Sequence, residues 1–158
     1  MAHVVGVGDM RLGGRPGEVF VAPHIGAGIA IALYDATANV AGILHFMLPA
    51  SEANPHRAID NPALFADTGI PAFLRAAMAL GASRQHMRIT MVGGARPVDA
   101  TDFFAIGARN QATARRVLWD NLLSVDREHA GGTLTRTLRI DAGTGRAWVR
   151  CDGEESEL

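Results

Sequence analysis

Residues 28–49, GIAIALYDATANVAGILHFMLP, contain two apolar runs on either side of a short polar segment. In the first run, 28–35, isoleucine and leucine alternate with alanine, so both faces of the segment are apolar. This composition is typical of a fully buried strand rather than of a strand with one solvated face. The second run, 41–49, predicts the next strand, and the polar segment predicts the turn between them. The sequence therefore predicts a buried β-hairpin here.

The rest of the chain adds strands in groups, with helical segments between them. Runs rich in valine, isoleucine and leucine predict further strands at 3–9, 18–22 and 86–95, and a closing hairpin around the turn 141–145. In that hairpin, Arg136 and Arg139 are expected on the solvated face of a strand, because they alternate with apolar positions. The two tryptophans, Trp119 and Trp148, are expected to pack in the core or at its edge.

Two segments, 66–82 and 106–123, have apolar residues at helical spacing. Asp67 or Thr68 is expected to cap the start of the first helix. The polar segment 50–62, which carries two prolines, is predicted to be an exposed loop. This order of elements predicts an α+β fold, a strand-rich, sandwich-like core of mixed β-sheet with two main helices packed on it.

The bulk composition limits the domain count, the compartment and the classes of partner. The 158 residues are predicted to form a single domain over 1–150, followed by an acidic, mobile tail over 151–158. A net charge of −1 argues against a nucleic-acid partner. The sequence begins without a signal-peptide pattern, and no apolar run approaches the ~20 residues of a membrane helix, so a cytoplasmic protein without membrane insertion is expected.

Several short motifs occur in a defined order along the chain. They are GIAIALYD at 28–35, AGILHFMLP at 41–49, FADTGIPAFL at 65–74, MVGGA at 91–95, IGARN at 106–110 and GGTLTR at 131–136. Their order and spacing closely resemble those of the CheD family of chemoreceptor glutamine deamidases, over nearly the whole chain. Arg109 and Asn110 are expected either to hold a loop through hydrogen bonds or to contact a partner. Thr135 departs from the glycine of the family's last motif.

The resemblance implies a deamidase site made of a cysteine, a histidine and a threonine. In such a site a thiolate attacks the glutamine amide, and a nearby imidazole takes and returns the proton. On this sequence the family's cysteine falls on Gly28, its threonine on Ala22 and its histidine on His45. The chain is therefore predicted to keep the imidazole and to lack the nucleophile and the threonine. The small residues Gly26 and Ala27 are expected to lie where a substrate amide approaches.

Three other readings of these residues stay open at this point. His24 lies four residues before Gly28 and is a candidate for substrate binding or an ordinary loop histidine. With His45 it offers two imidazoles and no third ligand, so neither a metal nor a cofactor is expected. His45 is equally compatible with a strand histidine kept for packing. Cys151, the only thiol, lies after the last predicted strand and is not expected to reach His45.

The first functional hypothesis is a CheD-like chemotaxis protein without deamidase activity. The resemblance implies that it binds the helical cytoplasmic region of chemoreceptors and, as some members do, a CheC-type phosphatase. The second hypothesis is an active protein-glutamine deamidase with an unrecognised nucleophile, or another hydrolase with a metal at His24 and His45. The third is a structural or oligomerising domain with no role in chemotaxis.

Overall fold

The structure consists of two five-stranded mixed sheets that pack face to face, with helices on one outer side. It is a computed structural model and describes residues 1–98 and 104–158. The strands are β1 Ala2–Val4, β2 Asp9–Gly13, β3 Val19–Ile25, β4 Ile29–Asp35, β5 Val40–Phe46, β6 Arg88–Gly93, β7 Arg127–Ala130, β8 Arg136–Asp141, β9 Ala147–Cys151 and β10 Glu154–Glu157. The helices are α1 Pro55–Asp60, α2 Ala66–Ala79 and α3 Ile106–Asp120, with short 3-10 helices at Ser51–Ala53 and Pro62–Leu64.

The first sheet has the strand order β1-β3-β8-β9-β10, and the second has the order β2-β5-β4-β6-β7. Most neighbours are antiparallel, while β1 with β3 and β6 with β7 are parallel pairs. The hairpin of β4 and β5 lies in the middle of the second sheet, in the register Ala30↔His45. This confirms the predicted hairpin and the predicted α+β class.

The two faces of β4 pack in two separate apolar layers. Ala30 and Ala32 face the first sheet, where they pack in a cluster with Phe20 of β3 and Leu138 of β8. Ile29, Ile31 and Leu33 belong to a second cluster, which the apolar side chains of α2 and α3 complete. Small residues on one face and large ones on the other let the sheets approach closely while the helices cover the opposite side. Every residue from Ile29 to Leu33 is at most 1% exposed.

Several local predictions are wrong. Segment 50–62 is not a loop, since it contains α1 and the first 3-10 helix, with Asn54 accepting a bond from Arg57 N as the N-cap of α1. The predicted strand 3–9 is divided by a turn at Gly8, whose φ is +79°. Neither Asp67 nor Thr68 caps α2, because Asp67 accepts bonds from Ser51 instead and Thr68 donates to Pro62 O.

A further correction concerns Arg136 and Trp119, whose surroundings differ from those expected, whereas Trp148 packs at the edge as predicted. Arg136 is buried, because it shares the inward face of β8 with Leu138 and Ile140. Trp119 is 73% exposed on α3, so it is not part of the core. Trp148 is half-buried, and the guanidinium of Arg139 lies 4.1 Å from the centroid of its ring.

The acidic C-terminal residues form a strand where a tail was expected. β10 pairs with β9 in antiparallel register, so the boundary predicted at 150 falls inside the sheet. Arg146 donates two hydrogen bonds of 2.8 Å to the carboxylate of Glu157, and Arg139 donates one to Glu155. The acidic residues are thus positioned against one arginine of β8 and one arginine of the turn between β8 and β9. Among the helices of the described ranges, none has the length and apolar character needed to cross a membrane.

Candidate functional site

The loop of residues 26–28, between β3 and β4, has a backbone fixed by the segment after β6. Ala95 N donates to Gly26 O at 3.0 Å, and Gly94 N donates to Gly28 O at 2.9 Å. The second of these bonds extends the pairing of β4 with β6 past the end of both strands. The loop therefore has a defined shape, set by main-chain bonds rather than by its own small side chains.

Asn110, near the start of α3, ties the same loop to the end of β5. It is fully buried, and its Nδ2 donates to Ala27 O at 2.9 Å and to Met47 O at 2.8 Å. Two carbonyl acceptors fix the orientation of the amide group. The Oδ1 atom of Asn110 is buried and has no hydrogen-bond partner within the described ranges. Of the two roles considered for Asn110, the structure shows the loop-holding one.

Gly28 has no room for a side chain. A Cβ built on it would lie 2.7 Å from the carbonyl oxygen of Phe46 and 3.5 Å from Cα of Met47. Both atoms belong to the backbone, so a larger residue at 28 requires the two chain segments to separate. The sequence therefore lacks a thiol at position 28, and the surrounding backbone also leaves room only for glycine there.

His45 lies in the middle of the second sheet, facing the first. It is 1% exposed, and its Nδ1–H donates to Val5 O at 3.3 Å. Burial lowers the pKa of His45 below its ordinary value, and the bond to Val5 opposes that effect only in part. The ring is neutral near pH 7. Its Nε2 atom, the lone-pair nitrogen of this tautomer, has no donor within the described residues.

The residues placed on the family's site do lie on facing surfaces of the two sheets. Gly28 precedes Ala30 by two residues, so it is the diagonal neighbour of His45, about 7 to 8 Å away by sheet geometry. Ala22 is fully buried in the layer between the sheets. Val5 connects the two sheets, since it accepts from His45 and its N–H donates to Val21 O at 2.7 Å.

This arrangement can offer an unprotonated imidazole but no nucleophile. An orphaned buried Nε2 is the acceptor that a hydroxyl or thiol would satisfy, and neither Ala22 nor Gly28 carries one. Without a nucleophile, amide hydrolysis would depend on water activated by His45 alone. That reaction has a much higher barrier than attack by a thiolate.

The remaining candidates lie apart from His45. His24 is exposed, with a φ of +56°, at a bulge in β3 opposite β8. Cys151 is half-buried at the end of β9, in register with Arg136 of β8. No hydrogen bond joins either residue to His45 in the described parts of the chain. The same parts contain no group of three or more His, Cys, Asp and Glu side chains able to hold a metal.

Comparison with known proteins agrees with the motif order. The family model described as CheD chemotactic sensory transduction matches residues 47–151. A protein of Solibacter usitatus named probable chemoreceptor glutamine deamidase CheD is 39% identical, over 98% of this chain and 92% of its own. A protein of Syntrophus aciditrophicus named probable chemoreceptor glutamine deamidase CheD 1 is 37% identical, over 95% and 94%.

These matches define a chemotaxis protein related to the chemoreceptor deamidases. The chain belongs to the CheD family.

Proposed function

We propose that this protein binds the cytoplasmic region of chemoreceptors and does not deamidate them. The single observation that carries the proposal is the geometry at Gly28, where the backbone of Phe46 occupies the space that a catalytic side chain would need. His45 is buried behind loop 26–28, and main-chain hydrogen bonds fix the shape of that loop, so the chain presents a defined surface there without the reacting group. The protein would act in the cytoplasm.

An exposed apolar surface at the end of α3 gives this binding role a physical basis. Trp119 is 73% exposed and borders a groove of about 410 Å³ together with Leu123 and Val125. Leu122, which is 83% exposed, borders an adjoining cavity of about 340 Å³ that Trp119 and Leu123 also line. We call Trp119, Leu122 and the groove the α3 patch. Tryptophan is the side chain that most often contributes strongly to protein interfaces. An exposed Trp–Leu pair beside a groove is therefore a candidate docking site.

Leu122 stands at a position where the local backbone favours glycine. Its φ is +65°, and the bonds from Leu123 N to Leu118 O and from Leu122 N to Trp119 O form the helix-ending motif that usually carries glycine there. Leucine in this left-handed conformation costs about 1 kcal/mol relative to glycine. The side chain of Leu122 is strained and exposed, so it adds little to the stability of the fold, which favours a role in binding.

Charge on the same helix selects an acidic partner. Arg109 and Arg116 are two turns apart on the exposed side of α3, and neither has an ion-pair partner in the described structure. The helix runs from the loop contact at Asn110 to Trp119, about 14 Å along its axis. An acidic helix lying along α3 would therefore contact the α3 patch at one end and loop 26–28 at the other. We assign this role to a helical segment of the receptor.

The test is binding of a soluble receptor cytoplasmic fragment from the same organism, measured by isothermal titration. The unmodified protein is expected to form a complex. Leu122→Gly should weaken it tenfold or more while raising the melting temperature, because glycine relieves the backbone strain. Ile59→Ser, which removes a side chain 79% exposed on α1, is the matched control and should leave the affinity unchanged.

Two results would contradict parts of this proposal. Absence of any complex with the fragment would refute receptor binding. A complex that Leu122→Gly and Trp119→Ser leave unchanged would show that the α3 patch is not the docking site. The same titration with a CheC-type phosphatase tests the second partner that the family suggests.

A further inference from the structure

Arg136, on the inward face of β8, is a buried cation without an anionic partner. Arg136 is only 6% exposed, and no carboxylate of the described residues lies within ion-pair distance of its guanidinium. A buried charge is normally balanced by an opposite charge, because removal from water is costly and hydrogen bonds to neutral groups compensate only partly. Arg136 therefore requires a closer account of its contacts.

All the acceptors around Arg136 are neutral. Its Nε–H donates to His129 Nδ1 at 2.7 Å, and one Nη2–H donates to Gly131 O at 2.7 Å. The contacts of Nη1 with Gly93 O and Leu134 O are both 3.5 Å, at the outer limit of a hydrogen bond. A guanidinium has five N–H donors, so the outer pair of nitrogens has donor capacity to spare.

His129 cannot supply a negative charge and is itself held neutral. Its Nδ1 accepts from Arg136, so protonation at that atom would break the bond and place two cations side by side. Burial, followed by the charge of Arg136, lowers the pKa of His129. Burial also lowers the pKa of Arg136, as expected for a cation that lacks a counter-ion.

A cavity of about 350 Å³ opens beside this pair. It is lined by Gln111, Arg115, Glu128, His129, Ala130 and Arg136. Arg115 donates to Glu128, so these two charges balance each other. No carboxylate balances the charge of Arg136, so the lining of the cavity has a net positive charge at neutral pH.

We propose that this cavity binds one oxyanion, a carboxylate or a phosphate, on the outer nitrogens of Arg136. The planar fork of a guanidinium matches two oxygens of such a group, and a desolvated site strengthens each bond. Gln111, whose Nε2 donates to Gly94 O at 3.1 Å, has a second N–H available at the cavity wall. The ligand is defined by its chemistry, a small planar or tetrahedral oxyanion.

The oxyanion would bind next to the loop of the candidate site. Arg136 contacts Gly93 O, and the next residue, Gly94, donates to Gly28 O. The anion has two possible sources, free phosphate or a carboxylate on a bound protein. Only the second source rests on the proposed function; the site itself does not.

Inorganic phosphate is the probe for the site. The melting temperature of the unmodified protein should rise by about 3 to 6 °C when phosphate is about tenfold above its dissociation constant, relative to sodium chloride of equal ionic strength. His129→Asp would place a carboxylate against Arg136 and so supply the missing charge. This variant is expected to stay folded and to lose the phosphate-dependent rise.

His56→Asp, which makes the same charge change at an exposed position on α1, is the matched control and should keep the full rise. The proposal is overturned if phosphate gives no rise over chloride, or if His129→Asp keeps the full rise. No receptor is present, so this result does not depend on receptor binding. Once phosphate binding is shown, competition between phosphate and the receptor fragment assigns the carboxylate source, and its absence assigns free phosphate.

Discussion

Gly28→Cys should destabilise the protein and should not make it a deamidase. The new Cβ would lie 2.7 Å from Phe46 O, so the backbone of the loop or of β5 must move. Forcing extra atoms into such a contact costs about 1 to 3 kcal/mol. A thiol that reaches its place only by displacing the loop would also be misplaced relative to His45, and catalysis is sensitive to shifts of about 1 Å. Urea unfolding and peptide mass spectrometry of receptor glutamines measure the two effects.

Gly26→Cys is the matched control for this substitution. It adds the same side chain to the same loop, and the nearest atom to its Cβ would be Thr135 Cγ2 at 4.0 Å. We expect its free energy of unfolding to stay within about 0.5 kcal/mol of that of the unmodified protein. Equal stability of the Gly28 and Gly26 variants, or deamidation by Gly28→Cys, would show that position 28 has room for a working thiol.

Asn110→Ala should be the most destabilising single change that we describe. It leaves Ala27 O and Met47 O without their donor, and both lie beside a fully buried residue. A fully buried acceptor left unsatisfied costs about 1 to 3 kcal/mol. Because both bonds are only partly buried, the two losses should add to about 2 to 4 kcal/mol, below the full range of about 2 to 6 kcal/mol. Denaturant unfolding followed by circular dichroism measures it.

Arg109→Ala, one position earlier on α3, provides the comparison. Arg109 is exposed, so its loss should change stability by about 0.5 kcal/mol or less. If Asn110→Ala were as mild as Arg109→Ala, the amide of Asn110 would not be what holds loop 26–28 against the end of β5.

Features that depend on local pattern could be predicted from the sequence. The alternation in 28–35 predicts the buried strand β4, and helical spacing predicts α2 and α3 within a few residues. The strand β7 is short and pairs with β6 across the sheet, so its four residues, REHA, carry no apolar alternation to reveal it. The resemblance in motif order predicts that positions 22, 28 and 45 lie in one site.

Features that depend on what lies opposite a residue could not be predicted. Arg136 lies on the same face of β8 as Leu138 and Ile140, and that face is the inward one. Trp119 was expected to pack in the core or at its edge, yet α3 turns it outward. The closed backbone at Gly28 depends on Phe46, which is distant in sequence. In each case the outcome depends on which element of the fold packs opposite the residue.

The measurement that tests the central claim most directly is the fate of receptor glutamines. A soluble receptor cytoplasmic fragment from the same organism is incubated with the unmodified protein, and each glutamine is then followed by peptide mass spectrometry. Our account predicts that every glutamine keeps its mass while the fragment co-purifies with the protein. Conversion of any glutamine to glutamate, absent when the protein is omitted, would contradict the account and direct attention to Cys151 as the nucleophile.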